Sequence, residues 1–206
     1  MSRRGHHVDY ESLMSAAPSQ GAVAVAVALF LREVLPSLWR DAYLKTITHQ
    51  PNLARLRVGT FEYLCDIYSD LESKGEIAYD QSLQDRVVAA FGTSYPTESA
   101  NPRQSRRWID PTLQLSVTER DHGHLIAQCL GGTNLGLNFF SQDRKLNRGH
   151  SVQGKIYRQM ERYIHQQPGT FCFSRPIYAD ASNVPKWMEF GVLKNDQTLW
   201  VEVFDN

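Results

Sequence analysis

Arg120-Asp121-His122-Gly123-His124-Leu125-Ile126-Ala127 is the stretch on which the reading turns, with Asn138 and Leu146-Asn147-Arg148-Gly149 downstream of it. An aspartate, two histidines and a glycine occupy four consecutive positions. Gly123 permits a tight backbone between Asp121 and His124. The apolar exit through Leu125, Ile126 and Ala127 reads as a strand, extending to Leu130 before a Gly131-Gly132 turn. Asn138 and Asn147 follow nine positions apart, with Gln142 between them. Upstream, Thr112–Thr118 alternates Leu113, Leu115 and Val117 with polar residues, a second strand signal.

Downstream, Gly154–Gln166 has helical period. Ile156, Met160, Tyr163 and Ile164 share one side, and Lys155, Arg158, Glu161 and Arg162 surround the rest. Pro168-Gly169 stops it. Thr170–Tyr178, Trp187–Leu193 and Thr198–Phe204 alternate as three strands, with Asn195-Asp196 at the last hairpin.

The ordered set Asp-x-Gly-His, Asn-x3-Gln-x4-Asn and a following helix with a Glu resembles the DNA/RNA non-specific endonuclease family, whose members use a ββα-metal (His-Me finger) site. The resemblance covers residues 109–206. It implies an α+β fold in which an N-terminal helical region precedes a ββα-metal nuclease domain with an antiparallel sheet. It also implies metal-dependent hydrolysis of DNA, and of RNA as an alternative or second substrate, with little sequence preference.

Phosphodiester hydrolysis needs an activated water, a stabilised pentavalent phosphorus and help for the leaving oxygen. A neutral histidine suits the first task because its pKa lies near neutrality. A hard divalent cation suits the others, and one amide oxygen plus waters is a Mg²⁺-like or Mn²⁺-like donor set. By resemblance, His124 is the general base and Asn147 the metal ligand. Asn138 positions the metal's waters, His124 or the phosphate, Glu161 hydrogen-bonds the metal's water from the helix, and Asp121 supports the hairpin. Two departures stand out. His122 occupies the place where the family commonly has Arg, leaving Arg120 or Arg148 to contact phosphate. The interval from Asn147 to Glu161 is widened by Arg148–Gly154.

The 206 residues carry no net charge, so the whole chain does not advertise a polyanion partner. The charge is uneven. Between Pro102 and Arg162 there are ten Lys/Arg and five acids, an excess of +5 around the motif. That suits phosphate binding, with Arg107, Arg120, Arg148 and Arg158 as candidates, although a solvated basic face has the same composition. Cys65, Cys129 and Cys172 are far apart and read as buried thiols of a reducing compartment. A zinc site from Cys129 with His122 or His124 lacks a fourth ligand. Nothing resembles a base-reading motif.

Residues 1–92 read as a helical domain or arm without a catalytic constellation. Residues 1–10 are a flexible start. Ser15 or Ser19 caps a helix over Ala22–Leu31 that reaches Leu35, Pro36 bends or restarts it, and Ser37–Ile47 continues. Asn52–Lys74 reads as an amphipathic helix pair broken near Gly59, with Gly75 as C-cap. Asp80 or Ser82 caps a last helix over Leu83–Phe91, ended by Gly92. Residues 93–108 read as a linker, and Arg103, Arg106 and Arg107 near its end could reach a phosphate. The run Gly21–Leu31 has eleven residues, too short for a membrane span and too late for a signal peptide. The expectation is a cytoplasmic protein with no membrane association, without excluding delivery by a specialised secretion route. The first helix is either core or a surface for homo-oligomerisation or a partner. A nuclease behind a helical region also resembles toxin or defence effectors restrained by an inhibitor or regulatory protein. The contrary reading is a catalytically silent nucleic-acid- or protein-binding module.

Overall fold

The computed structural model describes residues 7–18, 24–75, 85–95 and 119–206. Helix α1 spans Tyr10–Ser15 and α2 Ala24–Leu44. Strands β1 (Leu53–Val58) and β2 (Phe61–Asp66) precede α3 (Tyr68–Ser73) and β3 (Arg86–Thr93). Strands β4 (Arg120–His124) and β5 (Phe139–Asp143) form a separate antiparallel hairpin, followed by a single turn α4 (Arg144–Asn147) and by α5 (Val152–Gln166). The chain closes with β6 (Phe171–Ile177), β7 (Trp187–Leu193) and β8 (Leu199–Asp205).

Six strands form one antiparallel sheet in the order β1-β2-β3-β6-β7-β8. Alternation along its strands divides two cores. Ala89 and Phe91 of β3, with Phe171 and Phe173 of β6, face α1 and α2 and meet Val27, Leu31, Leu35 and Trp39. Ala90 and Cys172, one residue out of phase, face the other way and meet Met160 and Ile164 of α5 together with Leu125, Ile126 and Phe140 of the β4–β5 unit. The sheet is therefore the middle layer, and the Asp-His-Gly-His hairpin and α5 lie on the side opposite the N-terminal helices.

The α+β class and the antiparallel sheet are as expected, as are the helix over Val152–Gln166 and the last three strands. The reading of residues 52–92 is corrected. Asn52–Lys74 is not a helix pair: it is the β1–β2 hairpin, turned at Gly59 with φ +62°, and then the short α3. Leu83–Phe91 is not a helix either, since β3 begins at Arg86. Every residue of β2 is buried, because both faces of the sheet are covered. A strand buried on both sides loses the two-residue alternation that marks strands, and the apolar run Val87–Phe91 of β3 imitates a buried helix.

One sheet runs across residue 92, since β3 pairs directly with β6 through Phe91 and Phe173. The start of the proposed linker is also tied down: Ser94 N–H donates to Thr170 C=O at 2.9 Å and Tyr95 N–H to Leu130 C=O at 3.2 Å. The strand expected over 112–118, the caps at Ser19, Asp80 and Ser82, and Arg103, Arg106 and Arg107 lie outside the described residues.

Pro36 does not restart a helix; α2 runs through it from Ala24 to Leu44. Proline removes one intrahelical bond, and the burial of Leu31, Leu35 and Trp39 against the sheet offsets that cost. The very apolar α2 is thus largely core of this chain, with Val25 and Leu29 left exposed. Among the described residues no helix is long and apolar enough to cross a membrane.

A buried polar network pins the N-terminal layer. Arg175 Nε of β6 donates to Glu189 Oε2 of β7 at 2.6 Å, with both side chains at most 5% exposed. Tyr10 Oη donates to the same carboxylate. Trp39 Nε1 donates to Tyr10 Oη at 3.0 Å, and the Tyr10 and Trp39 rings both pack on Phe173. Removing one member of such a pair leaves an uncompensated charge in the core. Arg175→Leu is expected to lower stability by roughly 3–5 kcal/mol in urea unfolding, and Arg175→Leu with Glu189→Leu to recover a large part of the loss.

Candidate active site

Strand β4 is the motif itself, and its alternation assigns the side chains. Asp121 and Gly123 point to one face; Arg120, His122 and His124 point to the other. The partner strand places Gln142 opposite Asp121, Ser141 opposite His122 and Phe139 opposite His124. The strand ends at His124. The expected strand over Leu125–Leu130 is instead a loop with a 3-10 turn at Gln128–Leu130.

Asn138 explains that ending. Fully buried, its Oδ1 accepts from Ile126 N–H at 3.0 Å, and its Nδ2 donates to Ile126 C=O at 2.9 Å and Thr133 C=O at 2.7 Å. Its own C=O accepts from Leu125 N–H at 2.8 Å. The backbone just after His124 is held by one side chain and has no strand partner. The reading of Asn138 as a group aimed at the metal's waters or the phosphate is therefore corrected, because its amide is engaged with backbone on both ends.

On the other face, Asp121 gathers the start of the helical part. Its carboxylate accepts from Arg148 Nε at 2.8 Å and Nη2 at 3.0 Å, from Arg144 Nε at 3.1 Å and from Asn147 Nδ2 at 3.2 Å. Burial pushes this carboxyl up, but the hydrogen bonds from Arg148, Asn147 and Arg144 outweigh it and hold the pKa below the ordinary value. Asp143 caps α4 by accepting from Leu146 N–H at 2.8 Å. Asn147, at the end of α4, is thereby held through its nitrogen, leaving its amide oxygen as the end available to a ligand.

Gly123 is required by packing. A Cβ there would lie 2.1 Å from Gln142 Oε1 and 2.6 Å from Gln142 Cβ. The buried Gln142 fills that space between β4 and α5.

The two histidines share a face and an electrostatic state. Burial lowers the pKa of His124, slightly opposed by Asn134, and burial lowers that of His122 against the pull of Asp121. Both rings are therefore neutral at pH 7. The His124 ring rests on Phe139 with centroids 4.4 Å apart. The Asn134 side chain is the group that faces the His124 ring as a hydrogen-bond partner, while His122 Nδ1 is buried with none. A buried polar atom left unsatisfied is expected where a ligand or ordered water completes the site.

The structure does not bring Glu161 to this cluster. Glu161 pairs with Arg158 at 2.8 Å beside Cys129, and burial raises its pKa against that pairing. Gly154 is the residue of α5 that touches α4, where a Cβ would lie 2.5 Å from Lys145 C=O. Glu161 is two turns further along, roughly 10 Å at 1.5 Å per residue. Arg120 is also otherwise engaged, donating to Ser141 C=O at 3.1 Å and Asn206 C=O at 3.3 Å. Arg148 and Arg158 are half-exposed and each tied to a carboxylate. Arg107 lies outside the described residues. Two residues escaped the sequence reading. Arg144 lies between Gln142 and Asn147 and could have been picked out as a partner for Asp121. Asn134 sits in a stretch that reads only as a turn.

The model of the DNA/RNA non-specific endonuclease family matches residues 69–195, more than half of the chain. The chain belongs to this family. The matched part of the nuclease runs from within α3 to the end of β7 and contains the whole β4–β5–α4–α5 unit. A solved structure, that of Sda1 nuclease with bound zinc ion, matches with 16% identity over 75% of each chain and a TM-score of 0.37. No curated protein sequence matches. In this family member no group of three His, Cys, Asp or Glu among the described residues could hold a metal, so Cys129 with His122 or His124 does not form a zinc site.

Because the Asp121 carboxyl is depressed in the folded protein, its stabilisation is present above the ordinary carboxylate range and is lost as pH falls through the lowered value. Asp121→Asn is expected to lower the thermal midpoint at pH 7, with the gap from wild type closing in acid. Melting curves between pH 7 and pH 2 check this.

Proposed function

We propose that the chain is a metal-dependent endonuclease hydrolysing phosphodiester bonds in DNA and RNA, with His124 as general base. The observation that carries this reading is a neutral, part-buried His124 at the end of the strand whose Asp121 holds Asn147 through its nitrogen.

His124 takes a proton from the attacking water at an unprotonated ring nitrogen. Burial and contact with Phe139 keep the ring neutral and oriented. Asn138 is a positioning residue, since it fixes the two residues that follow His124. His122, one strand repeat earlier on the same face, contributes a neutral donor toward the phosphate where the family commonly has a cation. Arg148 and the exposed Lys145, both on or beside α4, bring positive charge to Asn147, suited to contacts with phosphates that carry no sequence information.

Asn147 Oδ1 fits one kind of cation. A single amide oxygen is a weak, hard donor, and the cation must keep most of its own water, as Mg²⁺ and to a lesser degree Mn²⁺ do. When bound, such an ion neutralises phosphate charge and helps the leaving oxygen depart. Glu161 has no part in this scheme.

Purified protein with Mg²⁺ is expected to cleave plasmid DNA and a structured RNA, and EDTA to stop both. His124→Ala is expected to lower kcat by a factor on the order of 10²–10⁴, and Asn147→Ala to raise the Mg²⁺ concentration needed by roughly 10–100-fold. Because burial lowers the His124 pKa, the acid limb of kcat/KM against pH is expected to have its midpoint below the ordinary histidine value of 6.5. Absence of cleavage with Mg²⁺ and Mn²⁺ on both substrates would support the silent binding module instead.

A further inference from the structure

A cavity of about 280 Å³ is walled in part by Phe139, the ring against which His124 packs, and plays no part in the scheme above. Its walls include Leu56, Leu125, Leu137, Phe139, Tyr178 and Arg86. Phe139 is the residue whose ring carries His124, and Leu125 follows His124 directly in the chain. A phosphate at His124 therefore has an adjoining nucleoside within reach of this cavity.

Arg86 gives the cavity its polarity. It is only 5% exposed. Its Nη2 donates to Asp180 C=O at 2.6 Å, and its guanidinium carbon lies 4.6 Å from the Tyr178 ring centroid. The guanidinium is thus anchored, while its Nε is buried with no hydrogen-bond partner. An unsatisfied donor on a buried cation is costly and calls for an acceptor. Asp85 also lines the cavity, with its carboxylate bound to Ser69 N–H at 2.8 Å and Ser69 Oγ at 2.7 Å. The opposed charges of Asp85 and Arg86 disfavour a phosphate. Apolar and aromatic walls with one aimed donor suit a flat neutral heterocycle that carries a carbonyl or ring-nitrogen acceptor. The volume lies just below the roughly 300–1,000 Å³ of pockets for drug-sized ligands, enough for one base and not for a stacked pair.

Building on the proposed nuclease function, we infer that this cavity is a nucleobase subsite that takes an unstacked base next to the scissile phosphate. Leu137 and Tyr178 hold the heterocycle, and Arg86 Nε–H donates to its acceptor. A base inside a duplex must be flipped out to reach it, whereas a base in a single strand needs only to unstack. The subsite makes single-stranded DNA or RNA the preferred substrate class without selecting a sequence.

The test uses the full chain and a single-stranded oligonucleotide with one abasic position, mapped bond by bond. Cleavage by wild type at a bond flanking the abasic position is expected to fall on the order of tenfold relative to the same bond in the intact strand. Leu137→Trp, which fills the cavity, is expected to cut the intact strand about tenfold more slowly and to be indifferent to the missing base. Arg86→Met, which keeps the wall and removes the donor, serves as a second variant of different packing. Fluorescence anisotropy of both oligonucleotides on His124→Ala measures the subsite apart from cleavage, with about tenfold weaker binding of the abasic strand expected. Equal responses of wild type and both variants to the missing base would overturn the subsite. Wild type that binds with the expected tenfold difference but cleaves nothing would overturn the nuclease function and leave the subsite standing.

Discussion

The carboxylate of Asp121 is the constraint on which the site depends. It sits on β4 and receives four hydrogen bonds from Arg144, Asn147 and Arg148, all on α4 or directly after it. A four-residue turn has too few internal bonds to hold itself. Its orientation comes from this carboxylate, from the Asp143 cap and from packing of Gly154 against its carbonyls. The amide of Asn147 is thereby turned nitrogen-first to the protein and oxygen-first to any ligand. The same strand presents His124 on its opposite face. One five-residue strand therefore orients both His124 and Asn147.

The layers around that strand divide the work. The six-stranded sheet separates the helices α1 and α2 from the hairpin and α5, so those two helices stabilise the site from behind. The buried Tyr10–Glu189–Arg175–Trp39 network belongs to the rear layer. The front layer holds unsatisfied polar atoms at His122 and Arg86.

Asn138 and Glu161 show how spacing misleads. Both fall at intervals that suit the pattern, yet neither faces the reacting groups. Asn138 lies one residue before β5, where its amide reaches the backbone of the returning loop. Glu161 lies two helical turns beyond the contact between α4 and α5, and the segment 148–151 moves it away from Asn147. An interval in sequence becomes a distance only once the path between the residues is known. Arg144 illustrates the converse: it has no place in the pattern, but the hairpin brings it directly to Asp121.

The sequence by itself determined the α+β class, the three C-terminal strands, α5 and the family, because these rest on local periodicity and on an ordered motif of uncommon residue types. It also determined Gly123 as a tight position, although the reason, the side chain of Gln142, is visible only in three dimensions. Only the tertiary structure decided that Leu53–Val58, Phe61–Asp66 and Arg86–Thr93 are strands and that they join β6 in one sheet. Coverage of both faces had removed the alternation that would have marked β2, and strand pairing across some eighty residues leaves no local trace. It alone decided as well that Asn138 serves the backbone, that Glu161 stands apart, and that a cavity with an unsatisfied Arg86 is walled in part by Phe139. Each of these depends on which groups meet after the chain has closed.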